Sequence, residues 1–175
     1  KYEFNEIITT DPHAYNAIKN EYPQLGIEYL VRHYTEFLAE HIEKIKPLLK
    51  ENRKIRVTYH DPCYLGRANN IYDAPRTLLE AIPGIEIVEM AHNKSTSLCC
   101  GGGGGGMWLD GFQWEKGKVR LSDWRVKEAV TTEAEVLVVA CPYEPPRFED
   151  STKTVPGAEK MIVKDILELL VEAMG

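Results

Sequence analysis

The sequence has no apolar run long enough to cross a membrane. Its longest charge-free apolar stretch near the middle is Val136 to Tyr143, where a spanning helix needs about 18 residues or more. It has no excess of positive charge either. Lys and Arg number 21 against 27 Asp and Glu, a formal net charge of −6, which argues against a nucleic-acid footprint. No secretory leader is visible, and the chain runs from Lys1 straight into a strand-like segment, so it reads as a piece of a longer protein. Cysteine is sparse: Cys63, Cys99, Cys100 and Cys141 are all there is, and no two form a C-x-x-C pair. Without a leader, this count argues for metal or redox chemistry over a disulfide framework. The rest is ordinary globular composition, 43% hydrophobic and 27% charged over 175 residues, enough for a proper core.

Apolar segments alternate between strand and helix character. Strands are expected at Phe4–Thr10, Ile27–Val31, Ile55–His60, Ile85–Met90, Val136–Ala140 and Lys160–Val163. Val136–Ala140 is apolar throughout, as a strand buried on both faces would be. Helices are expected at Pro12–Glu21, Tyr34–Lys50, Ala74–Ala81, Arg120–Thr131 and Asp165–Met174. Asp11 caps the first, with Pro12 at its first position. In the last, Ile166, Leu169, Leu170 and Ala173 share one face. Alternation of this kind implies an α/β fold of small, mainly parallel sheets flanked by helices.

The chain also echoes itself. Ile7 to Ala14 resembles Val138 to Glu144: an apolar strand, then Asp11 or Cys141, then proline and an aromatic ring. Farther on, Tyr29–His33 before a helix matches Met161–Asp165 before a helix. Residues 1–50 thus read as the tail of one unit and 51–175 as a complete second unit.

Each cysteine sits where a chain element ends and a turn begins. Cys63 closes His60-Asp61-Pro62-Cys63, Cys141 precedes Pro142, and Cys99-Cys100 run into six glycines, Gly101 to Gly106. Two neighbouring thiolates do not easily point at one small tetrahedral ion, but they readily bind different irons of a larger cluster. Glycines after them permit unusual backbone angles and expose N–H groups that can hydrogen-bond cluster sulfides. Soft thiolates select iron–sulfur, zinc or copper(I) over magnesium or calcium. Other readings stay open: a zinc-stabilised structural domain, a vicinal Cys99–Cys100 disulfide in a metal-free thiol enzyme, buried apolar thiols, or a glycine cradle for phosphate or flavin. The last lacks the Gly-Lys-Ser/Thr ending of a P-loop.

Around the cysteines, His60 and Asp61 are expected to brace a turn, with His60 and Glu144 as further candidate ligands. His13 is expected to line the interface between the two units, and His33 and His92 to lie at the surface or at strand ends. Trp108, Trp114 and Trp124 are expected to pack the core or cover the site, as are Tyr59, Tyr64 and Tyr72. Arg67, Arg76 and Lys94 read as solvated charges, with Arg67 near enough to raise a cluster's potential.

Asp61-Pro62-Cys63-Tyr64-Leu65-Gly66-Arg67, then Cys99-Cys100-Gly101 with its glycine run and Met107-Trp108, then Cys141-Pro142-Tyr143, together resemble the cysteine-rich CCG domain. That domain occurs in heterodisulfide reductases, glycolate oxidase iron–sulfur subunits and related oxidoreductases. The resemblance implies two CCG repeats behind a ferredoxin-like module, with a flavoprotein or membrane cytochrome as partner. It implies a cytoplasmic protein, membrane-associated through partner subunits. It also implies electron transfer through a [4Fe-4S] cluster on Cys63, Cys99, Cys100 and Cys141, wrapped by Gly101, Gly102 and Gly103, with zinc as the alternative metal. The family's repeat ends in C-x-x-C, and here Glu144 stands in place of the last cysteine. In the first unit both are replaced, by Asp11 and Ala14.

Overall fold

The computed structural model describes residues 3–50, 54–108 and 119–175. Two parallel sheets form the frame. Strands β1 (Ile7–Thr9) and β2 (Val31–His33) make a two-stranded sheet, and β3 (Ile55–Tyr59), β4 (Ile85–Ile87), β5 (Val136–Val139) and β6 (Ile162–Asp165) make a four-stranded sheet in the order β4-β3-β5-β6. Every pairing is parallel, with Val57 opposite Val136 and Val136 opposite Ile162. Among the described residues seven α-helices connect them: α1 (Pro12–Asn16), α2 (Tyr34–Glu40), α3 (Ile42–Ile45), α4 (Asp73–Ala81), α5 (Leu121–Val130), α6 (Glu144–Thr152) and α7 (Ile166–Met174).

The larger sheet is buried on both faces, which explains the unbroken apolar run of β5. Val136 and Val138 pack with Val57, Tyr59, Leu78, Leu79, Ile166 and Leu170 on one side. Leu137 and Val139 pack with Met90, Val126, Ala129 and Phe148 on the other. Helices therefore cover both faces of a parallel sheet, the doubly covered α/β arrangement.

The internal echo has a counterpart in three dimensions. His33 and Asp165 each end a strand and cap the next helix, with Glu36 and Glu168 closing the same reciprocal capping box. The two caps meet across the molecule: the Tyr34 hydroxyl donates to Asp165 Oδ1 at 2.8 Å.

Several expectations need correction. The helix expected over Tyr34–Lys50 breaks at His41, whose backbone leaves the helical region at φ −99°, ψ 14°, and it ends in a 3-10 turn around Pro47. The helix from Pro12 continues beyond Asn16 as a π-turn to Glu21. The strand expected at Ile27–Val31 begins only at Val31, because Gly26, at φ 74°, ends the preceding 3-10 turn and the chain then runs irregularly. Helix α6 has no counterpart among the expected helices. Pro145 and Pro146 read as breakers, yet they occupy its first turn, where a missing N–H costs nothing.

Candidate functional site

Strand order places the site. From β3 the chain crosses to β4 on one side, then returns past β3 to β5 and continues to β6 on the other. The strand order reverses between β3 and β5, and ligands of open α/β sheets bind at the carboxyl ends flanking such a switch point. There the β3 end delivers His60, Asp61 and Cys63, and the β5 end delivers Ala140 and Cys141. The loop entering the glycine run brings Cys99 and Cys100 to the same end. Asp61 anchors that loop. Its carboxylate takes two hydrogen bonds from Arg76, at 2.8 and 3.0 Å, and one from the Lys94 N–H at 2.7 Å. Arg76 also binds Glu89. It is therefore a buried, paired cation and not the solvated charge expected from the sequence.

Cys99 is the hub of the thiols. It lies within hydrogen-bonding reach of both Cys100 and Cys63, and these contacts pull its pKa far down. The Gly101 N–H donates to the Cys99 sulfur at 3.3 Å, and the Gly102 N–H to that of Cys100 at 3.4 Å. Cys63 and Cys100 are pushed up, chiefly as the donors in those contacts and then by burial. Arg67, exposed at the rim, opposes the rise at Cys63. Cys99 is thus the most acidic of the three thiols. All four cysteines are free.

Cys141 keeps different company. Its thiol lies with Asp11 and His13, their ligand atoms within 4.8 Å of one another, and burial pushes its pKa up. Asp11 accepts from the His13 N–H at 2.8 Å and touches His13 Nδ1 at 3.1 Å. The His13 ring sits between Tyr64 and Tyr143, with centroids 4.4 and 5.1 Å away. His13 therefore lies beside Cys141, packed between two tyrosines.

Between these groups stands Glu144, 1% exposed. It is the first residue of α6, whose buried face also carries Arg147, Phe148 and Ser151. Burial drives its pKa well above the ordinary carboxylate range. Its Oε1 lies 3.2 Å from His60 Nε2, off the axis of a hydrogen bond, and its Oε2 accepts from the Ala140 N–H at 3.4 Å. His60, also 1% exposed, is held down to about 3 by burial and then by the Arg125 charge. Cys100 completes a second three-donor set with His60 and Glu144 within 4.8 Å. The Cβ positions of Gly102 and Gly106 show how tightly the loop wraps this cluster. One would lie 3.6 Å from the Cys100 sulfur and the other 2.3 Å from the Gly101 carbonyl oxygen.

Other expected residues lie elsewhere. Trp108 and Trp124 are 82% and 56% exposed and pack no core. Both helix and loop turn those positions outward, while the buried stripe of α5 runs through Ser122, Arg125, Val126 and Ala129. Trp114 lies outside the described residues. His33 is fully buried at a strand end, not at the surface. Tyr64 is partly exposed beside His13, and of the three tyrosines expected to pack only Tyr59 is wholly buried. Arg125, which reaches from α5 to His60, is absent from the residues expected at the site. An arginine on the apolar stripe of a helix was the available signal.

Residues 57–143 match the family model of the cysteine-rich domain CCG. The chain is 40% identical over 174 residues to the "Probable iron-sulfur-binding oxidoreductase FadF" of Bacillus subtilis, covering 99% of this chain and 24% of that protein. It is 38% identical over 180 residues to the EtfAB:quinone oxidoreductase of Syntrophomonas wolfei, covering 99% of this chain and 24% of the relative. To one subunit of the dihydromethanophenazine:CoB–CoM heterodisulfide reductase of Methanosarcina barkeri it is 36% identical over 168 residues, or 93% and 39%. The chain spans about a quarter to two-fifths of the length of these relatives. No helix among the described residues is long and apolar enough to cross a membrane. With its cysteines gathered at the switch point of a parallel sheet and its sequence matched over that same stretch, this chain belongs to the cysteine-rich CCG domain family.

Proposed function

We propose that this chain is the cluster-holding part of an iron–sulfur oxidoreductase of heterodisulfide reductase type. In this reading Cys63, Cys99, Cys100 and Cys141 hold one [4Fe-4S] cluster, and Gly101 to Gly103 wrap it. The observation that carries the reading is the spread of the donors. A single zinc ion needs four donors about 2.0–2.3 Å from one point, and no four candidate donors lie within 4.8 Å of one another among the described residues. Three thiols on one side and Cys141 on the other suit a centre several ångströms across. A bound iron–sulfur cluster supplies one-electron transfer.

The residues present fit such a group. The contacts of Cys99 pull its pKa far down, so it is the ligand that gives up its proton most readily. The Gly101 and Gly102 N–H groups point at sulfur, and Arg67 brings positive charge to a site that four thiolates make negative. Asp61, through Arg76 and the Lys94 N–H, fixes the loop that carries the cysteine pair. His13, packed between two tyrosines, closes the site on the side of the first unit.

The same reading makes residues 1–50 the tail of a first, degenerate repeat and 51–175 a complete second one. It places a ferredoxin-like module upstream and a flavoprotein or membrane cytochrome as partner, with membrane association through partner subunits. The names of the relatives, which include a quinone oxidoreductase and a heterodisulfide reductase, support this class of activity. Anaerobic reconstitution with iron and sulfide tests it. The expected result is about four irons per chain, with a reducible EPR signal, lost in Cys100→Ser. Uptake of one zinc in place of iron, with the same cysteine dependence, would overturn it.

A further inference from the structure

The geometry points to Glu144 as an oxygen ligand of the metal centre and to His60 as the residue that positions it without itself binding metal. This inference rests on the cluster reading above and adds a fifth, non-cysteine ligand to it.

Arg125 fixes the direction of the hydrogen bonds here. Its side chain is fully buried, and its Nε–H donates to His60 Nδ1 at 2.9 Å. A guanidinium nitrogen has no lone pair to accept with, so this bond can run only one way. His60 Nδ1 must therefore be the accepting, unprotonated nitrogen. The neutral ring then carries its proton on Nε2, the atom that faces Glu144. For Nε2 to bind a metal as a neutral imidazole, the proton would have to move to Nδ1 and oppose the arginine N–H. Arg125 is itself held in place, donating to the His92 carbonyl at 2.6 Å and to Glu128 at 2.7 Å. The network thus removes His60 from the ligand set and makes it a donor.

Glu144 is in the opposite position. Its carboxylate is buried, and the two donors near it are long: His60 at 3.2 Å and the Ala140 N–H at 3.4 Å. His60 Nε2 has no hydrogen-bond partner among the described residues, although it is enclosed. An enclosed donor and an enclosed acceptor that meet off-axis mark a place for a third participant. Cys100 sulfur, within 4.8 Å of both, identifies that participant as the metal centre. A carboxylate in a thiolate set gives one iron a hard oxygen donor. Here it stands three residues after Cys141, where a C-x-x-C would place a fifth sulfur.

Mössbauer spectroscopy of the full chain, reconstituted anaerobically with enriched iron and sulfide, tests the assignment. In the wild type one iron is expected to show a larger isomer shift than the others. In Glu144→Cys that distinct iron should move to the thiolate values. In Glu144→Gln the distinct shift should vanish, with all four irons still held by cysteine. His60→Gln, which keeps an N–H near the Nε2 position, should retain the distinct iron, whereas His60→Leu should lose it at equal thermal stability. Identical spectra in wild type and Glu144→Cys, with full iron uptake in both, would overturn the Glu144 assignment and leave the cluster reading standing. Equal spectra in His60→Leu and wild type would overturn the positioning role. A wild-type chain that takes up no iron would overturn the cluster reading and this inference together.

Discussion

A thiol pKa depends first on who donates to whom, and this site separates three neighbouring sulfurs chiefly by that means. Cys99 lies within reach of Cys100 and Cys63 and accepts from the Gly101 N–H, so its pKa is pulled down while theirs are pushed up. Thiolates are the reactive form. Under metal-free, reducing conditions at pH 6, an alkylating reagent should therefore label Cys99 well ahead of Cys141, and peptide mapping would show it. The glycine loop holds this arrangement. A Cβ on Gly106 would lie 2.3 Å from the Gly101 carbonyl oxygen, a contact with backbone that nothing flexible can relieve. Gly106→Ala is expected to open the loop and to lower both Cys99 labelling and iron uptake by an order of magnitude. Gly104 is the control. Its Cβ would meet nothing within 4 Å, so at φ 61° an alanine costs only the roughly 1–2 kcal/mol of left-handed backbone. Equal effects at the two positions would refute the role of loop packing.

Among the elements, the Asp61–Arg76 pair decides whether the cysteine loop has a fixed address. Asp61 follows the end of β3, Arg76 lies in α4, and the Lys94 N–H that completes the carboxylate's shell opens the turn before Cys99. Asp61→Asn leaves a buried guanidinium short of its partner, and breaking a buried pair in this way costs about 3–5 kcal/mol. A fall in the urea midpoint of that order, with slower metal uptake by a correctly folded remainder, is the expected result. A loss under 1 kcal/mol would show the pair to be solvated. The sequence displays the elements of this arrangement unevenly. The parallel sheet is legible because β5 is apolar at every position, and the cysteine site is legible because all four thiols stand at strand or loop ends. Arg76 reads as solvated because a partner 15 residues upstream is invisible to local pattern. Helix α6 is hidden because proline reads as a breaker at the one place in a helix that tolerates it. Arg125 does not stand out, although Ser122, Val126 and Ala129 mark its face as buried. The split of Cys141 from the other three depends on how two strand ends meet, which spacing does not encode.

Across the whole molecule, the small sheet cannot stand by itself. A two-stranded sheet is at best marginal alone, and β1-β2 gains its support where His33 and Tyr34 reach the larger sheet. The Tyr34 hydroxyl binds Asp165, so Tyr34→Phe should cost about 1 kcal/mol by leaving a half-buried carboxylate short of a donor. His33 makes the coupling sensitive to acid. It is fully enclosed, with Nε2 at the Thr10 carbonyl and Nδ1 at Thr35, and burial holds its pKa down to about 4 against an ordinary 6.5. Above pH 6.5 the ring is neutral whether the chain is folded or not, and it adds no pH dependence. Below that, the unfolded chain binds a proton that the folded one refuses, so stability falls with pH until about 4, where the folded ring protonates too. The full loss is about 3 kcal/mol. Asp165, raised by burial, opposes this only at the lower end, in the carboxylate range. His33→Asn keeps a side-chain acceptor at the helix cap and removes the titration. Urea midpoints measured from pH 7 to pH 4 should fall steeply for the metal-free wild type and less steeply for His33→Asn, even if the variant starts lower at pH 7. Parallel curves would show that His33 ionises freely and that the two sheets separate before the molecule unfolds. A flatter curve for the variant would show that the small sheet leaves the large one only when the whole chain does.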